Sequence, residues 1–337
     1  MSARRTPGVL AVEVTPRCDR DCLYCYNAWR VDGVPEEPPL AASVLIPLVE
    51  EALRASGRGA LQLTGGEPLL RLDLFDIIEG LRAPARSISL VTDGARLDDG
   101  AVDRLKALGV GPVQPTLLAA DRVIHDGLKG ARCFDDTVAG IRRLLAQSVP
   151  VTVSFVCTKR NHGHFREVLE LCFALGVEDV AFSRLCVTGA AASNREAMAP
   201  TAEMVRGCLA VAEDAVVRLG MRVYVAISLP HCAVEPDQTP HLAFGGCSLA
   251  TGRPGFTIDP WGRLRACSVS SEILGDLREE GWDAILTRAR AGYLRNIVAV
   301  PEGCMDCDAL RRCRGGCRES ARVAGGGFGQ WDPLVDR

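Results

Sequence analysis

Cys18, Cys22 and Cys25 place three thiols within eight residues. Three thiolates on one tight loop can ligate three irons of a cubane cluster, and a four-iron cluster normally takes four cysteines. The set therefore leaves one iron open, where amino and carboxylate groups of a small molecule can bind. The competing reading is a zinc knuckle, but structural zinc sites usually come as paired Cys-x2-Cys hooks with a closed fourth ligand. Gly65-Gly66-Glu67-Pro68 is the second chemical feature. Two glycines let backbone carbonyls approach a ligand, and a carboxylate can meet an ammonium. Alone, this run reads as a turn.

A second cysteine set, Cys304, Cys307, Cys313 and Cys317, lies in a Gly/Arg-rich stretch, with Cys247 and Cys267 upstream. Such a stretch builds little core, so metal ligation would supply its folding energy. A four-cysteine zinc ribbon is the alternative, although zinc pairs are normally separated by longer loops. The chain has 15 cysteines in 337 residues. Met1 to Pro7 carries two Arg with no apolar run behind it, so no signal peptide is expected and the cytoplasm is the default. Clustered thiols in a reducing compartment argue for metal over disulfides. Cys133, Cys157, Cys172 and Cys208 fall in apolar contexts and read as small buried hydrophobes. Cys232 also reads as a packed thiol, with a fourth-ligand role beside Cys247 as the alternative.

These residues need a scaffold. Val9–Val14, Leu61–Thr64, Ile88–Thr92, Val110–Thr116, Val151–Val156 and Val180–Leu185 read as strands. Ala41–Ser56, Leu72–Leu81, Asp98–Leu108, Asp135–Gln147 and His164–Leu175 read as the helices between and after them. Repeated βα units imply a parallel sheet with right-handed crossovers. The expected fold is α/β, a partial (βα)6 TIM-like barrel, with functional residues in loops after the strands. The cysteine triplet follows the first strand, Gly65–Pro68 the second and Thr92-Asp93-Gly94 the third. A looser segment, 186–200, precedes a helix at Thr201–Leu219 and a strand at Arg222–Ile227. Residues 1–238 form the expected first domain, with its core at 8–185. Residues 239–337 form a small cysteine-rich, cluster-stabilised second one, whose Gly325–Gly329 run reads as a loop.

Cys18-x3-Cys22-x2-Cys25, with Tyr24 before the last Cys, resembles the motif of the radical S-adenosylmethionine superfamily, and Thr64–Pro68 matches its second motif. The resemblance implies that the open iron binds methionine's amine and carboxylate. One electron then breaks the sulfonium C–S bond, and a 5′-deoxyadenosyl radical abstracts a substrate hydrogen. It implies roles for Tyr24 near the adenine and for Gly65, Gly66, Glu67 and Pro68 at the amine. It implies Thr92 at the third strand, and Thr116 and Lys129 at the carboxylate. Ser154 and Asn161 are candidates for the ribose, with a solvated loop Asn the blander reading. Thr92-Asp93-Gly94 stands where the family often has Thr-Asn-Gly. Leu118 stands where relatives carry an Asp, ahead of the His125-Asp126 turn. Cys186, ending the sixth strand, is a candidate hydrogen-atom donor to a substrate radical.

The distal cysteines resemble a SPASM extension, a module of two auxiliary iron–sulfur clusters. The resemblance assigns Cys247, Cys267 and Cys317 to the first cluster and Cys304, Cys307 and Cys313 to the second. Val335 stands where the second cluster's last Cys belongs, leaving three thiolates or an oxygen from Asp332 or Asp336. Arg311, Arg312 and Arg314 read as a charged face, and His162 and His164 as solvated or capping.

The resemblance implies an oxidoreductase-type enzyme with S-adenosylmethionine, a catalytic [4Fe–4S] cluster and a flavodoxin- or ferredoxin-type electron donor. The leading expectation is modification of a ribosomally made peptide by cross-linking, epimerisation or oxidation. The sulfatase-maturing reaction is disfavoured, because Ser268 stands where that relative has an Asp. The chain starts almost at its first strand, so a separate recognition protein or a leaderless peptide is expected. The alternative is a dehydrogenase or epimerase of a small alcohol, such as an aminocyclitol or aminoglycoside. A scaffold without turnover is the third class. The net charge of −3 gives no basic footprint for nucleic acid. No run of about 18 apolar residues predicts a membrane span.

Overall fold

The computed structural model describes residues 8–33, 35–57, 59–247 and 255–336. Strands β1 (Val9–Glu13), β2 (Ala60–Thr64), β3 (Ser87–Thr92) and β4 (Val113–Pro115) pair in sequence order and in parallel. So do β5 (Thr152–Cys157), β6 (Asp179–Arg184), β7 (Arg222–Val225) and β8 (Ala243–Phe244). Single bridges, Val113 to Val151 and Thr116 to Ser154, join the two runs. The first six strands and their helices make the expected partial barrel. Helices Ala42–Ser56, Leu74–Leu81, Asp99–Ala107, Phe134–Ala146 and Phe165–Leu175 fall within two residues of the predicted bounds. The fourth strand is shorter than predicted. It ends at Pro115, which has no N–H to donate to a ladder.

Among the elements that the sequence reading did not place, two border the site. A helix spans Arg122–Lys129, with Asp121 Oδ1 accepting from Ile124 N at 3.0 Å as its N-cap. The segment 186–200 is not loose but holds two helical turns, Ala190–Ser193 and Arg195–Met198.

The terminal region is continuous with the barrel. β9 (Thr257–Ile258) pairs in parallel with β1, and β10 (Arg263–Arg265) and β11 (Ile273–Asp276) follow antiparallel. Glu13 on β1 and Arg265 on β10 form a buried ion pair across this join. Buried Trp261 donates from Nε1 to Glu37 O at 2.6 Å. Beyond helix Trp282–Ala291, short helical turns carry Cys304 to Cys313, and helix Arg318–Gly325 follows Cys317. Of the predicted Gly325–Gly329 loop, Gly325 closes this helix.

The strand period of two explains where space remains. Leu61, Leu63, Val113, Val153, Phe155 and Phe182 are buried in the hydrophobic core. The alternate residues Gln62, Gln114, Ser154 and Ser183 line a 670 Å³ chamber instead. Barrel interiors are usually filled by bulky branched side chains. Short neutral polar ones leave room here.

Candidate active site

Three elements fix the cysteine loop. Carbonyls at the end of helix Arg122–Lys129 lack intrahelical partners. The amides of Asp21 and Leu23 supply them, donating to Lys129 O and Leu128 O at 3.1 Å each. From segment 186–200, Ala191 N donates to Cys25 O at 2.9 Å and Asn194 Nδ2 to Leu23 O at 3.1 Å. From β2 the Gly65–Gly66 turn packs beneath. Gly66 N donates to Thr15 O at 2.7 Å, and Glu67 N to Arg17 O at 2.8 Å. A Cβ on Gly66 would lie 2.1 Å from Arg17 O, and one on Gly65 2.5 Å from Thr15 O. Close approach of the cysteine loop itself is what these glycines permit.

The three thiols border a 110 Å³ cavity with Glu67, Thr92, Thr116 and Lys129. Burial pushes the Cys18 thiol up to about 11 and raises Cys22 and Cys25 as well. Metal ligation must therefore displace their protons. Their sulfurs do not make a single-ion site. Among the described residues, no three cysteine sulfurs lie within 4.8 Å of one another. Zinc at about 2.3 Å would draw its sulfurs closer than that. The wider spacing suits a polynuclear cluster.

Other groups lining the cavity fit an amino acid. Glu67 is buried and pushed up to about 7, chiefly by burial and then by the adjacent Asp93 charge. Thr92 Oγ1 donates to its Oε1 and Asp93 N to its Oε2, each at 2.7 Å. Asn27 donates from Nδ2 to Gly65 O at 2.8 Å, while its buried Oδ1 has no hydrogen-bond partner. That orphaned acceptor and the Glu67 carboxyl suit an amine. Buried Lys129 makes one long 3.4 Å bond, to Asp93 O, and its ammonium suits a carboxylate. Arg20 pairs with Asp93 at 2.5 Å, so the Asp in place of the family's Asn is neutralised locally. The residues present thus fit both a cluster and a methionyl group.

Tyr24 and Thr116 line both this cavity and the larger chamber. Ser154 lies only in the chamber, where its Oγ accepts from Gln114 Nε2 at 2.5 Å. Pro68 is buried and opens a short helical turn. Asn161 is fully buried, not solvated. It donates to Leu118 O at 2.9 Å and Val156 O at 3.0 Å, and Thr158 N and Oγ1 donate to its Oδ1. It shapes the loop and does not reach toward a ribose.

His125 lies in the Arg122–Lys129 helix rather than a turn, grouped with Asp126 and Cys133. This trio is not a metal site. His125 Nδ1 accepts from Leu118 N at 3.3 Å, so the neutral ring carries its proton on Nε2. Asp126 Oδ1 is taken by the amides of Cys133 and Phe134.

In the terminal region, Cys247, Cys267 and Cys317 line one 320 Å³ cavity. Cys186 lines the chamber, and its thiol neighbours that of Cys317. Cys133, Cys157, Cys172 and Cys208 are buried, as expected. Cys232 departs from expectation. It is exposed rather than packed, and it neighbours Cys304. Asp332 departs too. Its Oδ2 accepts from Arg184 at 2.5 Å and Cys317 N at 2.8 Å, and its Oδ1 from Leu334 N at 2.9 Å, so it is no spare cluster ligand.

Sequence reasoning missed Asn27, Asn194 and the Arg20–Asp93 pair. Asn27 had one usable signal, its place two residues after Cys25.

Comparison with known proteins agrees with this geometry. The family model of the Radical SAM superfamily matches residues 12–172. SuiB from Streptococcus suis, solved with S-adenosylmethionine, superposes with a TM-score of 0.74 at 15% identity, over 98% of this chain and 77% of that one. SuiB with its precursor peptide SuiA gives 0.72 at 14% identity, over 97% and 75%. The protein anSMEcpe, with AdoMet and the Cp18Cys peptide, gives 0.71 at 16% identity, over 97% and 93%. The shared fold includes the cysteine-rich terminal region. Residues 12–172 thus form a Radical SAM superfamily domain.

Proposed function

We propose that this enzyme cleaves S-adenosylmethionine reductively at a cluster held by Cys18, Cys22 and Cys25, and directs the radical to a ribosomally made peptide. The observation that carries the reading is the junction of two spaces. The thiol-lined cavity and the 670 Å³ chamber share Tyr24, Tyr26, Val91 and Thr116 as walls. A cluster and S-adenosylmethionine bound there would together supply a radical able to take a hydrogen atom from substrate. The residues of the chain do the positioning. Glu67, oriented by Thr92 and Asp93, and Asn27 Oδ1 hold the amine. Lys129 and Thr116 hold the carboxylate, and Tyr24 flanks the adenine. Ser154 lies on the chamber side, within reach of a ribose or substrate hydroxyl.

The peptide class rests on likeness to SuiB and anSMEcpe, both solved with peptides. The chamber wall suits an uncharged side chain, since Gln62, Gln114, Ser154, Ser183 and Ser268 are neutral and the lining Arg184 is paired with buried Asp332. Cys247, Cys267 and Cys317, and Cys304, Cys307 and Cys313, would hold auxiliary clusters suited to electron transfer, with a flavodoxin- or ferredoxin-type donor outside. The test is incubation of reconstituted enzyme with deuterated candidate peptides, encoded near its gene, following the label into 5′-deoxyadenosine. Transfer from a peptide is expected. Transfer only from a small alcohol such as an aminocyclitol would overturn the peptide assignment.

A further inference from the structure

The proposed auxiliary clusters are each short of a ligand. Cys304, Cys307 and Cys313 are three thiolates where a four-iron cluster takes four. Val335 offers none and packs against the core. Asp332 is consumed by Arg184, Cys317 N and Leu334 N.

Resting on that reading, we propose that Cys232 completes the second auxiliary cluster, in place of the missing C-terminal cysteine. Cys232 sits in the helical turn His231–Val234. The residue before it donates from its backbone to the Cys313 sulfur, His231 N to Sγ at 3.3 Å. Ser228 Oγ donates to Cys313 O at 3.4 Å, docking the same segment on the same cysteine. Amide bonds to ligating sulfurs are a regular feature of iron–sulfur sites and tune their potential. Cys232 and Cys307 are both exposed, which puts the four-thiol set at the edge of the molecule. Ligation needs no oxidant, since each thiol gives up its proton as it binds iron.

Different contacts carry a parallel assignment for Cys186, as the fourth ligand beside Cys247, Cys267 and Cys317. Arg184, two residues before it, pairs with Asp332 at 2.5 Å, and Asp332 accepts from Cys317 N at 2.8 Å. This buried bridge pins the end of β6 to the Cys317 turn, with Cys267 close to both thiols. Ligated there, Cys186 is not a free hydrogen-atom donor.

The test uses the full chain with Cys18, Cys22 and Cys25 replaced by Ala, so that only auxiliary clusters remain. This background should retain about 8 irons, four per cubane. If it holds none, the auxiliary reading itself fails. Adding Cys232→Ala should alter the electron paramagnetic resonance signal of one reduced cluster. It should also lower iron to about 7 after ferricyanide, with a three-iron signal appearing. Cys186→Ala should alter the other signal, and Cys172→Ala neither. Spectra and iron unchanged by Cys232→Ala overturn its assignment while leaving the reading intact, and likewise for Cys186→Ala. Circular dichroism matching the background shows that each variant is folded.

Discussion

Holding the methionyl amine as proposed, Glu67 would couple ligand binding to a proton. Its carboxyl, raised to about 7 by burial and then by Asp93, is half ionised near neutrality in the empty pocket. A methionyl amine favours the ionised form, so affinity must rise as pH rises toward and through 7. We expect the dissociation constant of S-adenosylmethionine, titrated anaerobically into the iron-loaded enzyme, to fall by up to about tenfold from pH 6 to pH 7. It should fall by about a further twofold to pH 8 and level off beyond. Glu67→Gln should weaken binding and flatten the profile, and a pH-dependent Gln variant would contradict this role. The cysteines and Gly65–Pro68 were legible because their chemistry lies in short spacings. Asn27 and Asn194 were not, because they bond carbonyls 38 and 171 residues away. Asn161 looked solvated because it stands in a loop, yet four hydrogen bonds satisfy its amide indoors.

Elements meet at the Gly65–Gly66 turn. With a Cβ 2.1 Å from Arg17 O, Gly66→Ala must push the cysteine loop away. The expected cost is about 1–3 kcal/mol by chemical denaturation, with loss of bound iron. Gly127, inside helix Arg122–Lys129, is the control, since a Cβ there meets nothing within 4 Å. Gly127→Ala should keep its iron and gain up to about 1 kcal/mol. Equal damage from both would mean that the turn does not support the loop. That helix went unread because its eight residues make little more than two turns and include Gly127, a poor helix former. The long barrel helices were legible because several turns repeat one apolar face.

At the scale of the whole molecule, one sheet runs from the terminal hairpin through β1 to β4. The sequence pointed to a second, cysteine-ligated module, and β9 of two residues was too short to announce how it joins the first sheet. Glu13 and Arg265 seal it as a buried pair, so removing one partner strands a charge. Arg265→Ala should cost about 3–5 kcal/mol in denaturant unfolding, and a change below about 1 kcal/mol would argue against that continuity. The central claim is that this continuous scaffold presents an open-iron cluster to S-adenosylmethionine. The most direct test is to reconstitute the chain anaerobically, add dithionite and S-adenosylmethionine, and quantify 5′-deoxyadenosine. The account predicts at least about 4 irons per chain, with 5′-deoxyadenosine formed by the native sequence and absent when Cys18, Cys22 and Cys25 are Ala. Iron-loaded native protein that forms none, or a triple variant that forms as much, would contradict it.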